Sequence, residues 1–225
     1  MRTNMNRFQK AIYNASKSIF AENLDSVHLI SGEELSKLVT LFSRFKCQNC
    51  GLYGRAILCP PLLTQTYNQF ESIDSCRFFY ANSVKEAAVF VFKNDGTKAW
   101  KRNKKELVHI EFKKRFGRQL KGVENGSAKM INKYMKKLEK KMSIDFNVQA
   151  LIAGHCDVCQ QGARCPNREN PPCHHKGLTS LEATGLDVYG LLAKLKVPFE
   201  YPALSYLTQV TLLLRTQFLW MKKPV

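Results

Sequence analysis

No stretch of the 225 residues offers the run of about 18 apolar residues that a membrane-spanning helix needs. The most apolar segment, Leu204 to Trp220, is interrupted by Ser, Thr, Gln and Arg215. The N-terminal MRTNMNRFQKAIYNASKSIF has no continuous apolar core of the kind a secretory signal carries. Its Arg2, Arg7, Lys10 and Lys17, with no acid among them, have the charge of an organelle transit peptide. Phe8, Ala11, Ile12, Ala15 and Ile19, however, fall on one face of an ordinary amphipathic helix. Gly51, Gly54 and Gly154 form no G-x-x-x-x-G-K phosphate loop. No internal repeat is visible. Acid is scarce throughout: 18 Asp and Glu stand against 35 Lys and Arg, a net charge of +17. These absences lead to a cytoplasmic chain with no membrane partner, whose thiols are mostly reduced.

What is present reads as a folded α/β protein. Hydrophobic residues make up 44% and charged residues 24%, which argues against disorder. At this length folding hides roughly 70% of the surface of the open chain, so the core needs no disulfide staples. A helix ending near Ala21 and a short strand over Val27–Ile30 come first. Ser31-Gly-Glu-Glu34 has the form of a capping box, and predicts a helix of about ten residues through Leu35, Leu38, Val39 and Phe42. Arg77–Tyr80 and Ala87–Phe92 read as buried strands, rich in aromatic and branched residues. Asn94-Asp95-Gly96 signals a turn. Ile131, Tyr134, Met135, Leu138 and Met142 recur at helical spacing. A strand over Val148–Ala153, a helix over Val188–Leu195 and a strand over Val210–Leu214 follow. Strands and helices alternate, which predicts one α/β domain over residues 1–225 with a mixed sheet of about five strands flanked by helices.

Eight cysteines are unevenly placed. Cys47-x-x-Cys50-Gly51 is followed by Tyr53-Gly54, then Cys59-Pro60-Pro61, within module one (residues 45–61). Cys156-x-x-Cys159 is followed by Cys165 and Cys173 within module two (residues 154–176). A C-x-x-C turn can aim two thiolates at one metal, with nearby amides stabilising their charge. Further cysteines a few residues on close the coordination shell at little entropic cost. Each module predicts a metal-binding loop. The knuckle Cys47-x-x-Cys50-Gly51 resembles a zinc knuckle. A zinc ribbon, however, pairs two such knuckles about 15–20 residues apart, and here they lie about a hundred apart. Iron–sulfur sites accept looser spacing and a Pro after a ligand Cys, although the ferredoxin run C-x2-C-x2-C-x3-C-P is absent. Spacing therefore favours one or two iron–sulfur clusters, 4Fe–4S in type, with zinc as the alternative. Cys156, Cys159, Cys165 and Cys173 make a set of four. Cys47, Cys50 and Cys59 make three. Cys76 is either their fourth partner or a plain buried thiol at a strand edge. If it is not a ligand, one iron keeps an exchangeable position for substrate or sulfide.

At these residues the chain resembles a bacterial and archaeal family described only as predicted metal-binding proteins, a domain of unknown function. One hallmark, C-x2-C-x2-Y-G-x4-C-P-P, is matched by Cys47, Cys50, Tyr53, Gly54, Cys59, Pro60 and Pro61. The other, S-x-E-A-x-G-x-D-V, is matched by Ser180, Glu182, Ala183, Gly185, Asp187 and Val188. The resemblance spans roughly Val27 to Leu214. Two departures stand out: Cys165 lies six residues after Cys159 where three is usual, and Cys173 precedes His174-His175-Lys176 rather than a basic residue and a proline. The resemblance implies a metal, iron–sulfur above zinc, and no established reaction.

Glu182, Asp187 and Tyr53 are the candidates for a supporting role beside a cluster, Glu182 and Asp187 by holding a loop or a proton and Tyr53 by shielding the cluster or donating to a sulfur. The plainer readings are that Ser180 caps a helix with Glu182 in its first turn and that Tyr53 packs. His155, His174 and His175 read as loop residues. Residues 96–141 carry 16 Lys and Arg against 4 Glu. Aromatic interleaving is thin and no RNA-recognition motif occurs. The basic segment therefore reads as a solvated face, or as a steering surface for an acidic electron-carrier protein, in preference to nucleic acid.

Overall fold

In a strand with both faces covered, each side chain finds a core, and the sequence becomes almost wholly apolar. Val84–Asp95 (β2) is such a strand. Ala87, Val89 and Val91 enter one core, while Ala88, Phe90 and Phe92 enter another. Tyr206–Thr216 (β5) does the same, with Val210, Leu212 and Leu214 on one side and Leu213 on the other. The computed structural model describes residues 5–20, 24–49, 59–61, 63–64, 67–95, 128, 130–152, 178–199 and 206–217.

Ser26–Ser31 (β1), Val148–Ile152 (β3) and Thr179–Ser180 (β4) complete a five-stranded mixed sheet of order β1-β2-β5-β3-β4. All neighbours are antiparallel except β3 and β4. One face is covered by Arg7–Phe20 (α1) and by a helix over residues 130–142. From α1 come Phe8, Ile12, Ala15 and Phe20; from the second helix come Ile131, Met135, Leu138 and Met142. Phe20 is wedged against Phe92 and Tyr134 in edge-to-face contacts, with centroids 5.3 and 5.9 Å away. The other face is covered by Gly32–Ser36 (α2), Ile73–Ser83 (α4) and Val188–Lys194 (α6). Leu41–Gln48 (α3) lies on this side too; the helix over 130–142 is α5 in chain order. Among the described residues no helix is long and apolar enough to cross a membrane.

The capping box at Ser31 forms as the sequence predicts. Ser31 Oγ accepts from the Glu34 amide, and the Glu34 carboxylate accepts from the Ser31 amide, both at 3.2 Å. Lys194 adds an ion pair at 3.1 Å. The Ser31 backbone bond, ahead of Lys194, holds the Glu34 carboxyl below its ordinary value.

Two expectations fail locally. The ten-residue helix is split, because the backbone of Leu38, Val39 and Thr40 turns out to pair with Gly185, Leu186 and Asp187. Arg77–Tyr80 is not a strand but the middle of α4. Ser72 caps that helix, and Cys76, Phe79 and Tyr80 form its buried face. Helical spacing of buried groups outweighed a local β preference. The count of five strands is kept because β4, too short to read, takes that strand's place.

Gly32 starts α2 where a Cβ would run into the backbone oxygens of Val84 and Tyr80. Neither oxygen belongs to a movable side chain. Gly32→Ala is expected to cost about 3 kcal/mol, as overpacking does, measured as a lowered urea midpoint with unchanged slope.

Candidate metal centre

The sheet's topology decides where the segments of interest are attached. β2 and β3 are each antiparallel to β5 between them, so they run parallel and end at the same edge of the sheet. β2 hands over at Asp95 to the basic segment; β3 hands over at Ile152 to module two. That module is taken up again by β4, whose Thr179 and Ser180 pair with Leu151 and Ile152. The Leu181 amide then donates to the Ile152 carbonyl at 2.8 Å. Module two thus leaves and rejoins the sheet on adjacent strands, about 4.8 Å apart.

Beyond β4 the chain makes a 3₁₀ turn over Glu182–Thr184, closed by Gly185 with φ +83°. Ser180 Oγ accepts from the Ala183 amide at 3.0 Å. Ser180 thus caps as the sequence reads, but it caps this short 3₁₀ turn and not the start of a longer helix, with Glu182 half-buried in it. Leu186 then bridges to Val39. The Thr40 amide donates to the Gly185 carbonyl at 2.9 Å, and the Asp187 amide to the Leu38 carbonyl at 2.8 Å. Asp187 caps α6 by accepting from the Tyr189 amide at 3.1 Å. Thr40 caps α3, accepting from Ser43. Since α3 packs on the 3₁₀ turn and carries Cys47 in its last turn, module one is rooted beside the point where module two closes.

A polar knot underlies this junction. Arg44, one turn before Cys47, points inward. Its Nη2 donates to the Phe70 carbonyl and to Cys76 Sγ (3.1 Å), and its Nη1 to the Glu71 carbonyl (3.2 Å). Cys76 is fully buried, close beneath Gly185 and Val39: a Cβ on Gly185 would stand 3.1 Å from Val39 Cγ1 and 3.6 Å from Cys76 Sγ. One turn further on, the buried Tyr80 hydroxyl donates to Thr184 Oγ1 (2.6 Å), which itself donates to the Leu181 carbonyl (2.7 Å). Burial pushes the Cys76 thiol up, opposed by the hydrogen bond and charge of Arg44. Burial likewise pushes the Tyr80 phenol up.

Of the predicted ligands, Cys47 and Cys59 are described, both half-buried. The Cys59 carbonyl accepts from Leu63, a fully buried core residue, at 2.9 Å, which ties the far end of module one to the core. Cys50, Cys156, Cys159, Cys165 and Cys173 lie outside the described residues, as do Tyr53, His155, His174, His175 and residues 96–127. Among the described residues no three His, Cys, Asp or Glu side chains converge on a metal position. Cys76 sits in a helix, not at a strand edge. Arg44 was not singled out by sequence; an arginine between Phe42 and Phe45 gives no sign that it, and not they, faces inward.

Gly185→Ala is expected to cost about 2 kcal/mol from its left-handed backbone alone, seen as a lower midpoint in urea. A separate check concerns alkali. In the folded chain Cys76 and Tyr80 hold their protons above the ordinary values of 9.0 and 10.0. The stability tied to them is intact below those values and declines as pH rises past them. The urea midpoint should fall from about pH 9 upward, and Cys76→Ala should delay the fall. A midpoint flat across that range would contradict the burial of both groups.

No curated protein and no solved structure matches the chain. A family model does: that described as predicted metal-binding protein (DUF2284) matches residues 39–215, from the residue that bridges to Leu186 through to the penultimate residue of β5. The match takes in both cysteine modules and the junction between their roots, and the chain belongs to this family of predicted metal-binding proteins.

Proposed function

We propose that the protein is an iron–sulfur protein of the cytoplasm, working in electron transfer or in redox or sulfur chemistry. Cys156, Cys159, Cys165 and Cys173 hold one 4Fe–4S cluster, and Cys47, Cys50 and Cys59 hold a second. Tyr53 and Glu182 lie in their surroundings. The observation that supports this most is the shared root of the two modules. Module two is flanked by β3 and β4, and the helix that carries Cys47 is bonded to the segment that follows β4, although the cysteines lie about a hundred residues apart in sequence. Their donors are all sulfur, which suits iron–sulfur clusters or zinc and not a hard cation.

Cys76 is assigned no ligand role. Its sulfur is buried in the core and accepts a hydrogen bond from Arg44. The first cluster then has three cysteines. A cluster so held supplies one-electron transfer and, at the iron without a thiolate, a place for substrate or sulfide. Arg44, Thr40 and the Gly185 carbonyl act on it only through α3, by fixing the helix that carries Cys47.

Protein purified without air is expected to be brown and to contain iron and acid-labile sulfide. Cys156→Ser should remove the four-cysteine cluster and spare the other, while Cys76→Ser should spare both. A colourless protein with stoichiometric zinc would reject the cluster reading and leave a zinc-stabilised binding module, in which the metal contributes folding energy of about 10 kcal/mol. Loss of the first cluster in Cys76→Ser would make that cysteine its fourth ligand.

A further inference from the structure

We propose that the outward face of α3 is the surface on which an acidic one-electron carrier protein docks. The helix is turned against the usual pattern. Its one fully buried side chain is Ser43, and Arg44 points to the core. Leu41, Phe42 and Phe45 are 73%, 58% and 60% exposed. An isolated exposed Phe is ordinary, but three large apolar groups on two turns of one helix mark a contact surface.

Charge chooses the occupant. Lys46 lies on this face, its Nζ 4.6 Å from the centre of the Phe42 ring and 4.1 Å from that of Tyr189. It meets no carboxylate among the described residues. The whole chain carries +17, which steers an acidic protein toward it and gives fast, weak encounters. An aromatic centre with a lysine at its margin fits the anatomy of such interfaces, and redox encounters sit at the small end of the size range. The same helix carries Cys47, on the side turned away from Leu41, Phe42 and Phe45, so the purpose given to the face rests on the cluster reading above. The leucine and paired phenylalanines suit a protein surface better than a phosphate backbone, whose recognition needs many cations and few aliphatic groups.

The test uses the full chain and an acidic plant-type 2Fe–2S ferredoxin as probe, titrated by calorimetry at about 25 and 200 mM salt. Binding is expected at the lower salt and should weaken steeply at the higher. In Phe42→Ser/Phe45→Ser affinity should fall by about tenfold or more, with metal content and melting temperature unchanged. Lys46→Glu should weaken binding and flatten its salt dependence. Several results would overturn the proposal. One is failure of the probe to bind at low salt, and another is a double variant that binds it as well as the parent does. Loss of metal in the double variant would show that the chain's own cysteine module covers the face, and conversion of a dimer to a monomer would assign it to a second copy. Retention of poly(U) RNA through Phe42 and Phe45, with no ferredoxin binding, would assign it to nucleic acid. Because calorimetry does not depend on the metal, the two readings fail separately: protein purified without air that contains zinc in place of iron and sulfide, yet binds the probe through this face, would sink the cluster reading and keep the docking surface.

Discussion

Two peptide hydrogen bonds, Thr40 N–H to the Gly185 carbonyl and Asp187 N–H to the Leu38 carbonyl, hold the root of α3 against the segment that follows β4. Everything proposed for the metal centre depends on them, because they join the two halves of a site divided by about a hundred residues of chain. They are possible only where Gly185 takes a left-handed backbone, which costs little without a Cβ. They also end the preceding helix: once Leu38 to Thr40 pair sideways, their peptide groups are no longer available to continue α2.

The helices on the two sides of the sheet are held by different physics. α1 is fixed by area, with Phe8, Ile12 and Phe20 withdrawn from water at roughly 1.5–3 kcal/mol each. α3 buries almost no apolar surface and is fixed by direction. The Arg44 guanidinium donates to the carbonyls of Phe70 and Glu71, at the end of the 3₁₀ turn Asn68–Phe70, and touches the Cys76 sulfur besides. Hydrogen bonds from a charged group are worth about 1.5–3 kcal/mol each and are lost when the angle changes, whereas apolar contact tolerates sliding. A helix that delivers a metal ligand is better served by the stricter kind of hold. The arrangement also explains why Cys76, despite its chemistry, belongs to the core: it is the soft acceptor at the inner end of that clamp.

Much of the scaffold was legible because its signals are local. The unbroken apolar run of β2, the helical spacing of Ile131, Met135, Leu138 and Met142, and the capping box at Ser31 each involve residues close in sequence. What was not legible depended on partners far away. Arg77–Tyr80 has the composition of a strand and is helical because Cys76, Phe79 and Tyr80 meet the core together. β4 has two residues and exists only because β3 offers them an edge. Arg44 looks like a surface arginine until Phe70 and Glu71, some 26 residues on, present their carbonyls. In the candidate site the ligand types were read from spacing alone. The junction that gathers their anchors is made of backbone atoms, which have no signature in side-chain chemistry.

The excursion between β3 and β4 has one more consequence. Since it opens and closes on neighbouring strands, its length is invisible to the sheet: residues could be gained or lost there without moving any strand past another. Lengthening a flexible loop is entropically mild, about 0.6 kcal/mol for each doubling. The unusual interval between Cys159 and Cys165 is therefore a change the scaffold can absorb, and such intervals are free to drift in this fold while the stumps that bear them stay put.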